Sequence, residues 1–386
     1  MARFKRIIKQ ITGSKKGPTV VFFAGIHGNE KSGIKALREE LKPFTPDNLS
    51  GTIYAISGNL RALDKNQRYL DEDLNRLWTK DRIKAIQSKD HLNTEEEELL
   101  SLLRLLMRIL ETSTPPFYFI DLHTTSSKSL PFITINDAII NRRFSKQFPV
   151  PIVLGIEEYL EGALLSYINQ LGYVSIGFES GQHDDIQALR NHVAFINLAL
   201  VFTGIVKEYN SDKFKAYYNQ LKNAGQYHSC FFEIIDLYRI DRNDEFKMCN
   251  GFDSFQAIRK GEQLATHKQR IITSQYNARI FMPLYQKKGS EGFFVIKGIN
   301  TLFLKLSVWL RLLKTDSLLS ILPGIFWHNK NQGVLKVDLK VAKFLAKPLF
   351  HLLGYRNKQT GPSHLLLYNR ERVAKKAMYK EEEWYS

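Results

Sequence analysis

VVFFAGIHGNE spans Val20 to Glu30. Five apolar residues, all but Ala24 β-branched or aromatic, run straight into Gly25, His27, Gly28 and Glu30. An apolar run of this kind predicts a buried strand. The glycines after it permit a tight turn. The strand therefore ends on an imidazole and a carboxylate three residues apart, a spacing at which both can converge on one cation. Alone, His-x-x-Glu is a weak signal, since such pairs also arise by chance on solvated surfaces.

Outward from this stretch, Thr52–Ser57, Phe117–Leu122, Phe132–Ile135 and Val174–Phe178 read as further strands beside Thr19–Ala24. They alternate with helical patterns, the signature of an α/β fold. Thr94 followed by Glu97 predicts a capping box that opens the helix EEEELLSLLRLLMRIL. Near Tyr227 the pattern changes to short strand-like runs, CFFEIIDLYRI, ARIFMPLY and GFFVIKG, separated by turn-rich DRNDE and KKGSEG. Residues 1–226 thus read as an α/β domain, 227–299 as a small β-rich domain capping it, and 300–386 as a basic, partly helical extension.

Composition sets the bounds. With 386 residues, 44% hydrophobic and 24% charged, the chain is neither disordered, collagen-like nor a many-span membrane protein. Two cysteines cannot build a disulfide framework, no apolar leader follows the basic N-terminus, and no apolar stretch is long enough to span a bilayer. A cytoplasmic protein is expected. The net charge of +16 is uneven: the first 17 residues carry six Lys/Arg and no acid, and residues 300–386 carry 15 against six, so the body is almost neutral. That distribution, without interleaved basic and aromatic motifs, gives no expectation of nucleic-acid binding. Lys336, Lys340, Lys343 and Lys347 fall on one helical face, with Val337, Val341, Phe344 and Leu345 on another. Such a helix could dock on the protein body or rest on a membrane surface.

Two more segments carry chemistry. YFIDLHTTSS ends a strand on His123, with Asp121 as a carboxylate able to orient a ligand. Two histidines and one glutamate with an open fourth position are the pattern of a catalytic rather than a structural zinc site. QRYLDEDLNRLW places Arg68, Asn75 and Arg76 within nine positions. These could clamp a carboxylate or polarise a carbonyl, or they could belong to a salt-bridged surface loop.

Taken together, GIHGNE (25–30), RYLDEDLNR (68–76), DLHTTS (121–126) and SIGFESG (175–181) resemble the succinylglutamate desuccinylase/aspartoacylase family, relatives of the zinc carboxypeptidases. The resemblance runs from about 18 to 300 in one order. It implies a zinc-carboxypeptidase-like mixed sheet flanked by helices and one zinc per chain held by His27, Glu30 and His123. It also implies Arg68 as the residue polarising the scissile carbonyl, Glu179 as general base and acid, and Asn75 and Arg76 as binders of the amino-acid portion. Tyr285 is the nearest match to a tyrosine that reaches the substrate from the β domain. The implied function is zinc-dependent deacylation of an N-acyl amino acid or similar small amide. A carboxypeptidase-like peptidase and a silent metal- or anion-binding protein are the alternatives. One departure bears on substrate: acetylaspartate-cleaving relatives carry a specificity arginine some ten residues before the catalytic glutamate, and Ile156–Phe178 contains no arginine.

Overall fold

An eleven-stranded mixed sheet runs through the protein, seen in a computed structural model that describes residues 4–228, 230–241, 244–338, 341, 347–359 and 364–385. Its first seven strands are β1 (Ile7–Thr12), β2 (Lys15–Ala24), β3 (Ser50–Ser57), β4 (Phe117–Thr125), β5 (Phe132–Ile135), β6 (Ile152–Leu154) and β7 (Val174–Gln182). The parallel centre is β3-β2-β4-β7, and β5 joins antiparallel to β7. Along β2, Val20, Phe22 and Ala24 enter one core and Val21 and Phe23 the other. Both faces are therefore buried, which is why these strands read as unbroken apolar runs. The basic N-terminus supplies the edge strand β1, paired antiparallel to β3.

The flanking helices of the first 226 residues are α1 (Ser32–Glu40), α2 (Leu60–Lys65), α3 (Lys80–Gln87), α4 (Thr94–Thr112), α5 (Ile139–Ser145), α6 (Leu164–Gln170), α7 (Ile186–Phe202) and α8 (Ser211–Gly225). On α4, Leu99, Leu102, Leu106 and Ile109 cover one face of the sheet. The capping box lies one residue earlier than expected. Asn93 accepts from the Glu96 backbone and Glu96 returns the bond, while the Thr94 amide donates to Asp71.

The segment 227–299 is β-rich, but it continues the sheet rather than standing apart from it. Its strands are β8 (Phe231–Arg239), β9 (Phe246–Met248), β10 (Ala257–Ile258), β11 (Gln263–His267), β12 (Arg270–Thr273), β13 (Ala278–Phe281) and β14 (Glu291–Gly298). β8 pairs parallel to β6, and β14, β13 and β10 follow antiparallel. β9, β11 and β12 form a separate three-stranded sheet.

Beyond residue 300, α9 (Thr301–Leu312) leads into an antiparallel sheet of β15 (Ile325–Asn329), β16 (Val334–Asp338), β17 (Tyr355–Gln359) and β18 (His364–Asn369). This corrects the expected basic helix at its beginning, residues 336–338. Lys336 lies on β16, whose Val334, Leu335 and Val337 are buried, so period-two burial prevails over the lysine spacing. Lys340 and Lys343 lie outside the described residues. No helix among the described residues is long and apolar enough to cross a membrane.

Asp137, fully buried, joins this module to the first domain. It accepts from Arg142 of α5, Arg311 of α9 at 2.9 Å and Arg356 of β17 at 2.7 Å. Burial would raise its carboxyl, but the three guanidinium groups hold it well below the usual range. Asp137→Ala would leave buried cations unpaired and should destabilise the fold by about 3–5 kcal/mol in urea unfolding. A depressed carboxyl stabilises the fold above its unfolded value and loses that effect as pH falls through the folded value. The gap between wild type and variant should therefore persist at neutral pH and close below about pH 4. An unchanged urea midpoint at neutral pH would show that the cluster does not hold the two parts together.

Candidate functional site

The turn after β2 begins at Gly25, whose φ of +71° is left-handed. It is closed by the Gly28 amide donating to the Arg68 carbonyl at 3.1 Å. This binds the His27–Glu30 turn to the loop that carries Arg68. That loop is itself held from below by Glu95, a fully buried residue in the first turn of α4. Its carboxylate accepts from the backbone amides of Leu70, Asp71 and Glu72 and from the Asn59 side chain.

His27, Glu30 and His123 come together with one ligand atom from each within 4.8 Å of the others, all three buried. Glu30 lies between the imidazoles, 2.7 Å from His27 Nδ1 and 2.9 Å from His123 Nδ1. The opposite nitrogen of each ring faces a carboxylate: Asp73 at 3.1 Å from His27 and Asp121 at 2.7 Å from His123. Two imidazole nitrogens and a carboxylate converging on one point, each ring oriented from behind by an acid, form a donor set that fits a zinc-like ion. Burial opposes charge on all three groups. Even so, the two imidazoles hold Glu30 well below the carboxylate range, and Asp73 and Asp121, each with Glu30, raise His27 and His123 respectively.

Glu179 stands beside His123 across the β4–β7 pairing. It is buried, and its Oε2 has no hydrogen-bond partner among the described residues. Burial, with Glu30 adding to it and His123 opposing, pushes its carboxyl up to about 7. Arg68 donates to Asp73 at 3.0 Å, and its Nη1 lies 3.8 Å from Glu30. Asp73 also caps the short turn Leu74–Arg76 by accepting from the Asn75 amide at 2.9 Å. The Asn75 side-chain oxygen accepts from Leu164 at the start of α6, and Arg76 donates to Glu291 of β14 at 3.0 Å.

These seven residues, His27, Glu30, Arg68, Asn75, Arg76, His123 and Glu179, line one cavity of about 120 Å³. Tyr285 does not. It is exposed, and its hydroxyl donates to the Cys249 carbonyl and accepts from the Phe252 amide, so the 249–252 turn holds it away from the cleft. Its segment contributes Leu284, Gln286 and Glu291 to the cavity instead. Three functional groups escaped the sequence reading. Asp73, five residues after Arg68, carried a signal in that spacing. Glu95, in a run of four glutamates, and Glu291, 215 residues from Arg76, carried none.

Residues 16–194 match the family model described as "Succinylglutamate desuccinylase/Aspartoacylase catalytic domain". Over these residues the chain is similar to the catalytic domain of that family. The chain is similar to a probable aspartoacylase of Acaryochloris marina (strain MBIC 11017), 29% identical over 163 residues, which are 40% of this chain and 52% of the relative. It is also similar to a probable aspartoacylase of Prochlorococcus marinus (strain MIT 9313), 36% identical over 112 residues, or 29% and 35% of the two chains. It thus spans about half or less of the curated relatives it matches. In fold it is similar to a succinylglutamate desuccinylase/aspartoacylase of Rhodobacter sphaeroides, with a TM-score of 0.58 at 16% identity over 75% of this chain and 88% of that one. The product-bound ectoine utilization protein EutE (DoeB) of Ruegeria pomeroyi gives a TM-score of 0.56 at 17% identity, over 75% and 87%.

The candidate site rests on a close backbone approach at Gly28. A Cβ there would fall 2.1 Å from the Ala62 carbonyl carbon and 2.4 Å from the Gln67 oxygen. Gly28→Ala should force the His27–Glu30 turn away from the Arg68 loop and lower stability by roughly 1–3 kcal/mol. Thermal unfolding of the variant checks this, and an unchanged midpoint would contradict the packing described.

Proposed function

We propose that this chain is a metal-dependent amidohydrolase that removes the acyl group from an N-acyl amino acid or a similar small amide. One observation carries the reading: the converging donors His27, Glu30 and His123, the unpartnered oxygen of Glu179 and the guanidinium of Arg68 line the same cavity. The donor set fits one zinc ion, which when bound supplies Lewis-acid polarisation of the carbonyl and a water made acidic enough to attack at neutral pH. Glu179, buried and with its carboxyl near 7, takes the proton of the attacking water and returns it to the leaving amine. Arg68, held in place by Asp73, donates to the carbonyl oxygen as negative charge develops, an interaction worth about 3 kcal/mol. Asn75 and Arg76 hold the amino-acid carboxylate, with Arg76 turning from Glu291 to the substrate.

The remaining walls address the substrate's variable part. Ile135 of β5, Ile156, Leu160, Leu165 of α6 and Phe294 of β14 are apolar. A Cβ at Gly177, two residues before Glu179, would lie 3.0 Å from the Leu165 side chain, so this wall stands directly beside the base. Among the described residues lining the cavity, Arg68 and Arg76 are the cations, and each already faces a carboxylate. A second substrate carboxylate would enter without a counter-charge. The reading therefore favours neutral or apolar amino-acid side chains over those of acetylaspartate or succinylglutamate.

Two measurements check this. His27→Ala and His123→Ala should each release about one equivalent of zinc and abolish turnover, whereas Glu179→Gln should retain the metal and lose roughly 10²- to 10⁴-fold in kcat. A histidine variant that keeps both metal and activity would end the ligand assignment. Across a panel of N-acetyl amino acids, kcat/KM for leucine and methionine should exceed that for aspartate by about tenfold or more. A preference for aspartate would overturn the substrate reading while leaving the deacylase intact.

A further inference from the structure

Helix α9 buries Leu304 in the main core, yet most of its large apolar side chains face outward. Toward the protein it presents Ser307 and Arg311, which donate to the Leu352 carbonyl, and Arg311 also binds Asp137. Outward it presents Leu302, Leu306, Trp309 and, just past its end, Leu313, at i, i+4, i+7 and i+11 along one stripe. Leu302 is 70% exposed and Trp309 59%. The surface continues through Ile321, 76% exposed, and Phe326, 63% exposed. Ten of the 18 large apolar side chains exposed among the described residues fall within 302–326, so this is a patch and not the scatter usual on protein surfaces.

The charge around the patch has one sign. Lys305, Lys314, Lys330 and Lys336 are all exposed. Of the two acids between residues 300 and 338, Asp316 is buried against Tyr355 and Arg372, and Asp338 is half-buried at the end of β16. Two copies of this face brought together would oppose like charges across the contact. An anionic bilayer instead accepts apolar side chains between its headgroups and lysines on its phosphates. Trp309 suits the boundary layer, since indole prefers the interface to either bulk phase. We propose that α9 and the following turn, Thr315–Ile321, lie flat in the headgroup layer of an anionic membrane and bring the chain to that surface.

The test is flotation of the full chain with vesicles of phosphatidylcholine alone and of phosphatidylcholine with phosphatidylglycerol. Binding is expected to the mixed vesicles, weakening with added salt. The Leu302→Ser/Trp309→Ser double variant should bind at least tenfold more weakly. Both side chains are exposed and lie outside the cavity, so the variant should fold and keep its solution turnover. Trp78 and Trp384 are buried and Trp327 is half-buried beneath Arg372, so it is the loss of a vesicle-induced blue shift in Trp309→Phe that would place Trp309 in the lipid. Failure to float with anionic vesicles would overturn the proposal. So would flotation unchanged in the double variant, which would assign binding to the lysines alone. A concentration-dependent dimer that the double variant abolishes, with no vesicle binding, would assign the face to a second copy of the chain.

Discussion

Three parallel strands held in register govern the position of every group in the candidate site. Ala24 of β2 lies opposite Leu122 of β4, which lies opposite Phe178 of β7. The chain therefore leaves all three strands at one edge of the sheet, where open α/β sheets bind their ligands. His27 and Glu30 follow the end of β2, and His123 and Glu179 sit side by side one step beyond Leu122 and Phe178. A slip of one residue would send His123 and Glu179 to the opposite face. It would also exchange the two apolar cores, so the packing that stabilises the sheet also fixes the site.

Buried carboxylates in this protein divide into two kinds. Asp137 and Glu95 are met on all sides by guanidinium or backbone N–H groups, and their work is to hold elements together. Asp73 and Asp121 back the imidazoles in the same manner. Glu179 differs: it lines the cavity with one oxygen left without a hydrogen-bond partner among the described residues, and its carboxyl is pushed towards neutrality. An unsatisfied buried oxygen is costly to keep. Asp121 and Glu157 also keep one such oxygen, so it is the place of Glu179 in the cavity wall, beside a converging donor set, that separates a group positioned for chemistry from those positioned for structure.

Legibility from sequence followed the range of the determining forces. The central strands were legible because burial on both faces leaves an unbroken apolar run, as in VVFFA and FYFI. His27, Glu30 and His123 were legible because each directly follows or ends such a run, and Glu179 through the family resemblance of SIGFESG. What depends on distant partners was not. Glu291 meets Arg76 across 215 residues. Tyr285 had the right neighbourhood in sequence, yet the 249–252 turn captures its hydroxyl. The tail misled most: its lysines recur at helical spacing, but Val334, Leu335 and Val337 are buried as a strand against β18. Two periodicities overlap there, and tertiary pairing selects one. Likewise Glu95 sits in an acidic run that reads as a helix start and serves as a backbone clamp.

The last residues close a distant part of the core. The Tyr379 hydroxyl donates to the Phe117 carbonyl and accepts from the Val174 amide, bridging the beginnings of β4 and β7. Trp384 donates to the Tyr118 hydroxyl across 266 residues and stacks edge-on with Phe144. During synthesis, the aromatic floor beneath the central strands therefore waits uncovered until residues 379–384 have emerged. Contacts of such sequence separation form late and slowly, because loop closure must precede them. The wall behind the central strands is therefore completed by residues far along the chain and not by its own sequence neighbours.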